Sequence, residues 1–367
     1  MIHIGFDARL THYRIGGIST YIRQMIQVLE QIDHENQYTI LHSRKMRETL
    51  SLRFKRASLW TPAHHRFERL ALGAEIARFS FDILHSTDFI PPLFGAKRRV
   101  ITVHDLTFLL YPHFLTADSR RYYNAQIHAA VAQADHILTI SQASKHDIID
   151  LLHVLPEKIT VQGCGVEAAF RPLPADVVAR TRQRFHLPAD YLLFVGTIEP
   201  RKNLITLAKA YRELLARFPD APPLALVGRP GWHYDAIRSE IAGIGIEDHL
   251  LWRDNIPQEH LPAVYNGALA LILPSYYEGF GLPPLEAMAC GTVPIVSCRS
   301  SLPEVVGSVG LQFQPDDSSA LAAALEHILT DSNWRDTMRA HGLERAAQFT
   351  WERSAQIALS VYHKVMK

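Results

Sequence analysis

Two carboxylates and a basic pair define the chemistry available to this chain. Glu278 and Glu286 lie eight residues apart in Pro274–Gly291, read as PSYYEGFGLPPLEAMACG. The stretch runs from one apolar strand, Ala268–Leu273, to another, Val293–Val296. Gly279 and Gly281 let the loop backbone approach a ligand. Pro283 or Pro284 suits a first helical turn, where a missing amide costs no hydrogen bond. Gly291 suits the helix end. Amides at such a helix start attract an anion, and the helix dipole reinforces them. A carboxylate there repels the same anion, so it must turn aside toward hydroxyls. An anion bound together with hydroxyls suggests a nucleotide sugar. Read alone, Glu286 is a helix cap in an ordinary strand–helix–strand crossover.

Arg201 and Lys202 sit in Gly196-Thr197-Ile198-Glu199-Pro200-Arg201-Lys202-Asn203, directly after a strand at Tyr191–Val195. A planar guanidinium fork and a compact ammonium suit phosphate oxygens. Together they could neutralise a diphosphate, including the charge that builds on it as a leaving group. No Asp-x-Asp and no HExxH occurs in the chain, which are spacings that hold metals. The expectation is a site with no metal and no other cofactor, in which the two cations and a helix N-terminus replace the ion. His104, in His104-Asp105-Leu106-Thr107, follows the strand Val100–Val103. Ligands of parallel sheets bind at that end of a strand. The plainer alternative is a structural histidine bonded to Asp105. Gly16-Gly17 lies between the first strand and a helix that Ser19 could cap. It lacks the spacing of a dinucleotide fingerprint. It is either a plain turn or a glycine tip that reaches a ligand.

The elements that must position these groups follow from periodicity. Ile2, Ile4 and Phe6 give a strand that ends at Asp7, too short and polar for a signal peptide. Strands follow at Tyr38–Leu41, Ile83–His85, Val100–Val103, His136–Ile140 and Ile159–Val161, with helices between them. Glu167–Pro174 has two prolines and no periodicity, which marks a linker. The alternation of strand and helix then restarts. The expected fold class is α/β, with two Rossmann-like doubly wound domains facing across a cleft. Their expected bounds are 1–170 and 171–350. A last helix at 351–367 is expected to cross back to the first domain. At 367 residues, each domain can bury a core. A net charge of +1 argues against nucleic acid as a partner. Three cysteines with no CxxC pair fit a reduced, cytoplasmic chain. Arg44–Arg56 holds six basic residues and one acid, with Met46, Leu50 and Phe54 on one helical face. That pattern suits a helix lying on an anionic membrane surface, or a solvated basic helix.

Glu278-Gly279-Phe280-Gly281-Leu282-Pro283 through Glu286-Ala287-Met288-Ala289-Cys290-Gly291 resembles the E-x7-E signature of retaining GT-B glycosyltransferases of family 4. The resemblance extends to Gly16-Gly17, His104-Asp105, Ser141 opening its helix, Gly196, Arg201-Lys202-Asn203 and the final helix. His104-Asp105-Leu106-Thr107-Phe108 with Tyr111-Pro112 is most similar to bacterial mannosyltransferases of polysaccharide assembly. The resemblance implies that Glu286 binds the nucleotide ribose. Glu278 would contact hydroxyls of the donor sugar, beside the amides of Phe280 and Gly281 at the turn into Leu282. Arg201 and Lys202 would hold the diphosphate, His104 the transferred sugar, and Gly17 the phosphate or acceptor. It implies transfer from a nucleotide-sugar donor, GDP-mannose above all, to a saccharide or lipid-linked acceptor, at the cytoplasmic face of the inner membrane. A UDP-hexose, a dTDP- or GDP-deoxysugar, or binding without turnover are the competing readings. The sequence departs from the pattern at Gln162-Gly163-Cys164-Gly165 and near Ser308-Val309, neither of which carries the chemistry.

Overall fold

The computed structural model describes residues 1–13, 16–114, 117–254 and 256–367, with residues 117–121 described by their backbone. Arg14 and Ile15 of the first glycine loop therefore lie outside the described residues. Packing divides the chain into two units, Met1–Gly165 with Thr350–Lys367, and Val166–Phe349. The division falls before Glu167–Pro174, so that stretch belongs to the second unit.

The first unit is built on seven parallel strands: β1 His3–Asp7, β2 Gln37–Ser43, β3 Lys55–Leu59, β4 Phe81–Ser86, β5 Ala96–Val103, β6 His136–Thr139 and β7 Ile159–Val161. Their order is β3-β2-β1-β4-β5-β6-β7. Helices cover both faces of such a sheet, so inner strands are largely apolar; Phe6, Ile83, Leu84 and Ile101 are fully buried. The strand order reverses between β1 and β4, and ligands bind outside such a switch point. Asp7 ends β1, and Thr87, Asp88 and His104 follow β4 and β5. The last helix, Trp351–Met366, packs on Gly17–Ile32. Tyr362 Oη lies 2.6 Å from His85 Nδ1, deep in this unit. Gly165 must be glycine, because a Cβ there would lie 2.2 Å from the Trp351 nitrogen.

The second unit repeats the plan with six strands: β8 Leu192–Val195, β9 Leu224–Val227, β10 Leu250–Arg253, β11 Ala270–Leu273, β12 Val293–Ser297 and β13 Leu311–Phe313. The order is β10-β9-β8-β11-β12-β13. LLFV, LALV and ALIL are buried at every position. The switch point falls between β8 and β11. Arg201 and Lys202 follow β8, and Glu278 follows β11. Gly228 is needed where β9 ends, because a Cβ would lie 1.7 Å from the Gly196 carbonyl oxygen.

Two sequence expectations are corrected here. Arg44–Arg56 forms no helix; it is a turn and an irregular stretch that runs into β3. Met46 and Phe54, the ends of the expected lipid-facing stripe, are buried. Phe54 stacks on Tyr38 at 4.4 Å. The Glu30 carboxylate accepts from the Ser51 hydroxyl and the Arg53 amide, and Arg56 bonds back to the Arg47 and Glu48 carbonyls. These contacts satisfy the backbone in place of a helical ladder. The helix that Ser19 is expected to cap starts at Gly17 with Gly16 as its cap residue, so Ser19 lies inside it.

Candidate active site

At the second switch point, four charged side chains meet. The Glu278 carboxylate accepts from Arg201 Nη1 at 2.8 Å, Lys202 Nζ at 2.6 Å and Ser275 Oγ at 2.6 Å. Arg201 also donates to Glu199 Oε1, at 2.7 Å from Nη2 and 3.0 Å from Nε, and to the Tyr277 carbonyl at 2.8 Å. Glu278 and Lys202 are buried. Burial pushes the Glu278 carboxyl up, but Arg201, Lys202 and Ser275 outweigh it and hold it down at about 2. Burial lowers the Lys202 ammonium despite the pull of Glu278. Buried charges of this kind persist only when paired. Asn203 fixes the geometry from a left-handed backbone, with φ of 57°. Its side-chain amide donates to the Pro274 and Pro315 carbonyls at 3.1 and 2.7 Å. Gly196 leaves room beside Lys202, since a Cβ there would stand 3.7 Å from Nζ.

The loop that carries Glu278 is held from β12 onward. Ser300 Oγ accepts from the Glu278 amide at 2.8 Å, and Ser301 Oγ contacts the Glu278 and Phe280 carbonyls. Phe280 is buried, edge-on to Phe349. Gly281 caps the helix Leu282–Ala289 at φ of 105°, and a Cβ would lie 2.8 Å from Leu302 Cδ2. Glu286 is not the cap. Its Oε2 accepts from Tyr265 Oη at 2.7 Å. Burial, reinforced by the negative charge of Glu167, raises the Glu286 carboxyl to about 7 against the Tyr265 bond.

The first unit gathers the other expected residues at the carboxyl edge of its sheet. His104 Nε2 lies 2.8 Å from the Thr87 carbonyl. A carbonyl only accepts, so Nε2 carries the proton and the neutral ring presents Nδ1 as an acceptor. Burial pushes His104 below the ordinary imidazole range, against Asp88, Thr87 and Asp105. The alternative bond to Asp105 is not made; Asp105 Oδ1 takes the Thr107 amide at 2.9 Å. Ser141 Oγ caps the helix Gln142–Leu152 through the Ser144 amide at 3.0 Å. Ser144 Oγ in turn donates to the His104 carbonyl at 3.0 Å. Ser141 thus positions His104 rather than offering a free hydroxyl. Gly16, at φ of 135°, has open space where a Cβ would be, and Gly17 begins its helix. Tyr21 of that helix sits edge-on to His104 at 5.0 Å.

The family model "Glycosyltransferase Family 4" matches residues 15–170, and "Glycosyl transferases group 1" matches residues 179–345. O-antigen chain mannosyltransferase B of Escherichia coli is 34% identical over 281 residues, 76% of this chain and 74% of that protein. The chain belongs to glycosyltransferase family 4. Serotype-specific mannosyltransferase WbdA of the same species is 30% identical over 277 residues, 74% of this chain but 34% of its own length. A solved sucrose-phosphate synthase from Thermosynechococcus elongatus superposes with a TM-score of 0.81 at 23% identity, covering 100% of this chain and 99% of that one. That likeness shows a shared GT-B fold of two Rossmann-like domains.

In this glycosyltransferase, sequence reasoning missed the partners more than the principals. Glu199 stood in the quoted loop without a role, and Tyr265 lies 21 residues before Glu286. Ser300 and Ser301 follow Glu278 by 22 and 23 residues, with no local signal. Among the described residues no group of three or more His, Cys, Asp or Glu side chains could hold a metal ion. No described helix is long and apolar enough to cross a membrane.

Proposed function

We propose that this glycosyltransferase moves a mannosyl group from GDP-mannose to a saccharide or lipid-linked saccharide in cell-surface polysaccharide synthesis. It does so with retention at the anomeric carbon and without a metal ion. The observation that carries the reading is Glu278 held between Arg201 and Lys202 at a switch point, in a chain whose relatives are named mannosyltransferases. Arg201 and Lys202 hold the diphosphate, exchanging part of their contact with Glu199 and Glu278 for phosphate oxygens. They stabilise the charge that grows as the bond from the anomeric carbon to the diphosphate breaks. The acceptor oxygen attacks the same face, and its proton passes to the departing phosphate oxygen. The ionised Glu278 accepts from donor sugar hydroxyls, beside the amides of Phe280 and Gly281. Glu286, oriented by Tyr265, accepts from the ribose. Neutral His104 offers Nδ1 to the transferred sugar.

The reading includes peripheral contact with an anionic membrane. Exposed Arg44, Lys45, Arg47 and Arg53 would supply it by charge alone. Thermal-shift screening against GDP-, UDP-, ADP- and dTDP-sugars tests the donor, since a native-state ligand raises apparent stability. The largest shift is expected with GDP-mannose, and a larger one with a UDP-hexose would replace it. Transfer measured in EDTA tests the metal-free step. Donor binding with no turnover toward any saccharide would favour a binding protein instead.

A further inference from the structure

The first unit has its own recess at the β1/β4 switch point, lined by Asp7, Arg9, His64, Glu68, Thr87 and Asp88 among others. Arg9 is buried, and four of its five N–H donors are committed. It bonds Asp7 through Nε and Nη2, Glu68 through Nη2 at 2.7 Å, and the Thr61 carbonyl through Nη1 at 3.0 Å. It has no fork left for a phosphate. The three carboxylates differ in how far they are satisfied. Asp7 takes the Arg9 amide and guanidinium, and Glu68 takes Arg9, the His64 amide and Tyr122 Oη. Asp88 takes one bond per oxygen, from the Phe89 amide at 2.9 Å and from His64 Nε2 at 2.7 Å. An ionised carboxylate has about four acceptor positions, so Asp88 keeps capacity on both oxygens.

Burial pushes the Asp88 carboxyl up, but the hydrogen bonds from His64 and the Phe89 amide help hold it below the ordinary range. Asp88 follows β4, one residue beyond Thr87, whose carbonyl takes the His104 ring. The recess holds about 10 Å³ of free space. That is room for one water-sized group. A single hydroxyl fits it.

We infer that this recess selects an uncharged saccharide as the acceptor, seating one of its hydroxyls as a donor to Asp88 while His64 holds that carboxylate in place. The inference rests on the transferase reading and narrows its acceptor class. A phosphate or carboxylate on the acceptor would face Asp7, Glu68 and Asp88 with a single cation already paired. Repulsion and desolvation would reject it.

The test is saturation-transfer NMR on the full chain with excess GDP filling the donor site, and with methyl α-mannoside and methyl α-galactoside as neutral probes. Mannose 1-phosphate and mannose 6-phosphate are the charged ones. The neutral glycosides should bind, and the phosphates should bind about tenfold more weakly or not at all. Asp88→Ala should weaken the neutral probes about tenfold. His64→Asn, which tolerates the left-handed backbone found there at φ of 61°, should weaken them less. Phosphates that bind as well as neutral glycosides overturn the inference, as does no glycoside binding at all. Neutral binding unchanged in a folded Asp88→Ala protein does the same. The wild-type comparison decides alone if that variant does not fold. A thermal shift with GDP-mannose on the same proteins, free of GDP, separates the two levels. A donor shift with failed saccharide selectivity sinks only the acceptor assignment. No shift with any nucleotide sugar sinks the transferase reading beneath it.

Discussion

Glu278 and Glu286 stand on one loop and the helix it feeds, yet their surroundings drive them in opposite directions. Burial penalises both charges. Glu278 has Arg201 and Lys202 within hydrogen-bond reach and is held at about 2. Glu286 has a single neutral donor, Tyr265, and Glu167 nearby, and rises to about 7. The difference lies in neighbours from other parts of the chain. One carboxylate is a permanent anion built into a charge cluster, and the other changes charge near neutral pH. Two carboxylates so far apart in acidity would suit an acid–base pair, as in glycosidases. Here the strongly acidic one is tied to two cations, which fits a clamp better than a nucleophile.

Four changes would break or sharpen that contrast. The largest effect is expected from Arg201→Ala, which removes a cation from both the cluster and the proposed diphosphate site. Turnover should fall roughly a hundredfold or more, about 3 kcal/mol of barrier. Steady-state transfer rates check it. Glu278→Gln comes next, because it strands the buried Lys202 beside Arg201. It should cost roughly 3 kcal/mol of stability, read by denaturant unfolding. The pH dependence has a definite sign. The folded carboxyl lies below its ordinary 4.5, so its stabilisation is full above about 4.5 and is lost as pH falls toward 2. Glu278→Gln should flatten that acid limb.

Glu286 has the opposite sign. Its folded value is raised, so the native state holds an extra proton between 4.5 and about 7. Stability therefore declines as pH rises through that window. Glu286→Gln should remove the decline, giving a higher melting temperature than the parent at pH 8 but not at pH 4. Donor affinity in the parent should weaken as pH drops below about 7, and the variant should show no such dependence. The smallest effect is expected from Tyr265→Phe, about 1 kcal/mol for one hydrogen bond. It should also move the donor-binding midpoint upward, because the bond it removes favours the ionised carboxylate.

Much of the fold was legible because parallel strands buried on both faces read as near-continuous apolar runs. LLFV, LALV and ALIL announce themselves for that reason. The loop and helix around Glu278 were legible because their glycines, prolines and carboxylates are contiguous. The pairing of Glu278 with Arg201 and Lys202 was not, since both strands that precede these residues must first become neighbours. The His104 partner was not legible for a related reason. Asp105 is adjacent in sequence, but the Thr87 carbonyl is brought close by the pairing of β4 with β5. The basic stretch failed differently. Met46 and Phe54 have helical spacing, yet Phe54 finds Tyr38 and Met46 receives Thr11 Oγ1 inside the unit. Tertiary contacts overrode a local period.

Calorimetric titration of GDP-mannose into the wild-type and Arg201→Ala proteins, both in EDTA, tests the proposed diphosphate site most directly. Saturable binding by the wild type, weakened at least about tenfold in the variant, is expected from a lost charge-assisted contact. Equal affinity in the two proteins, or wild-type binding that requires a divalent cation, would contradict it.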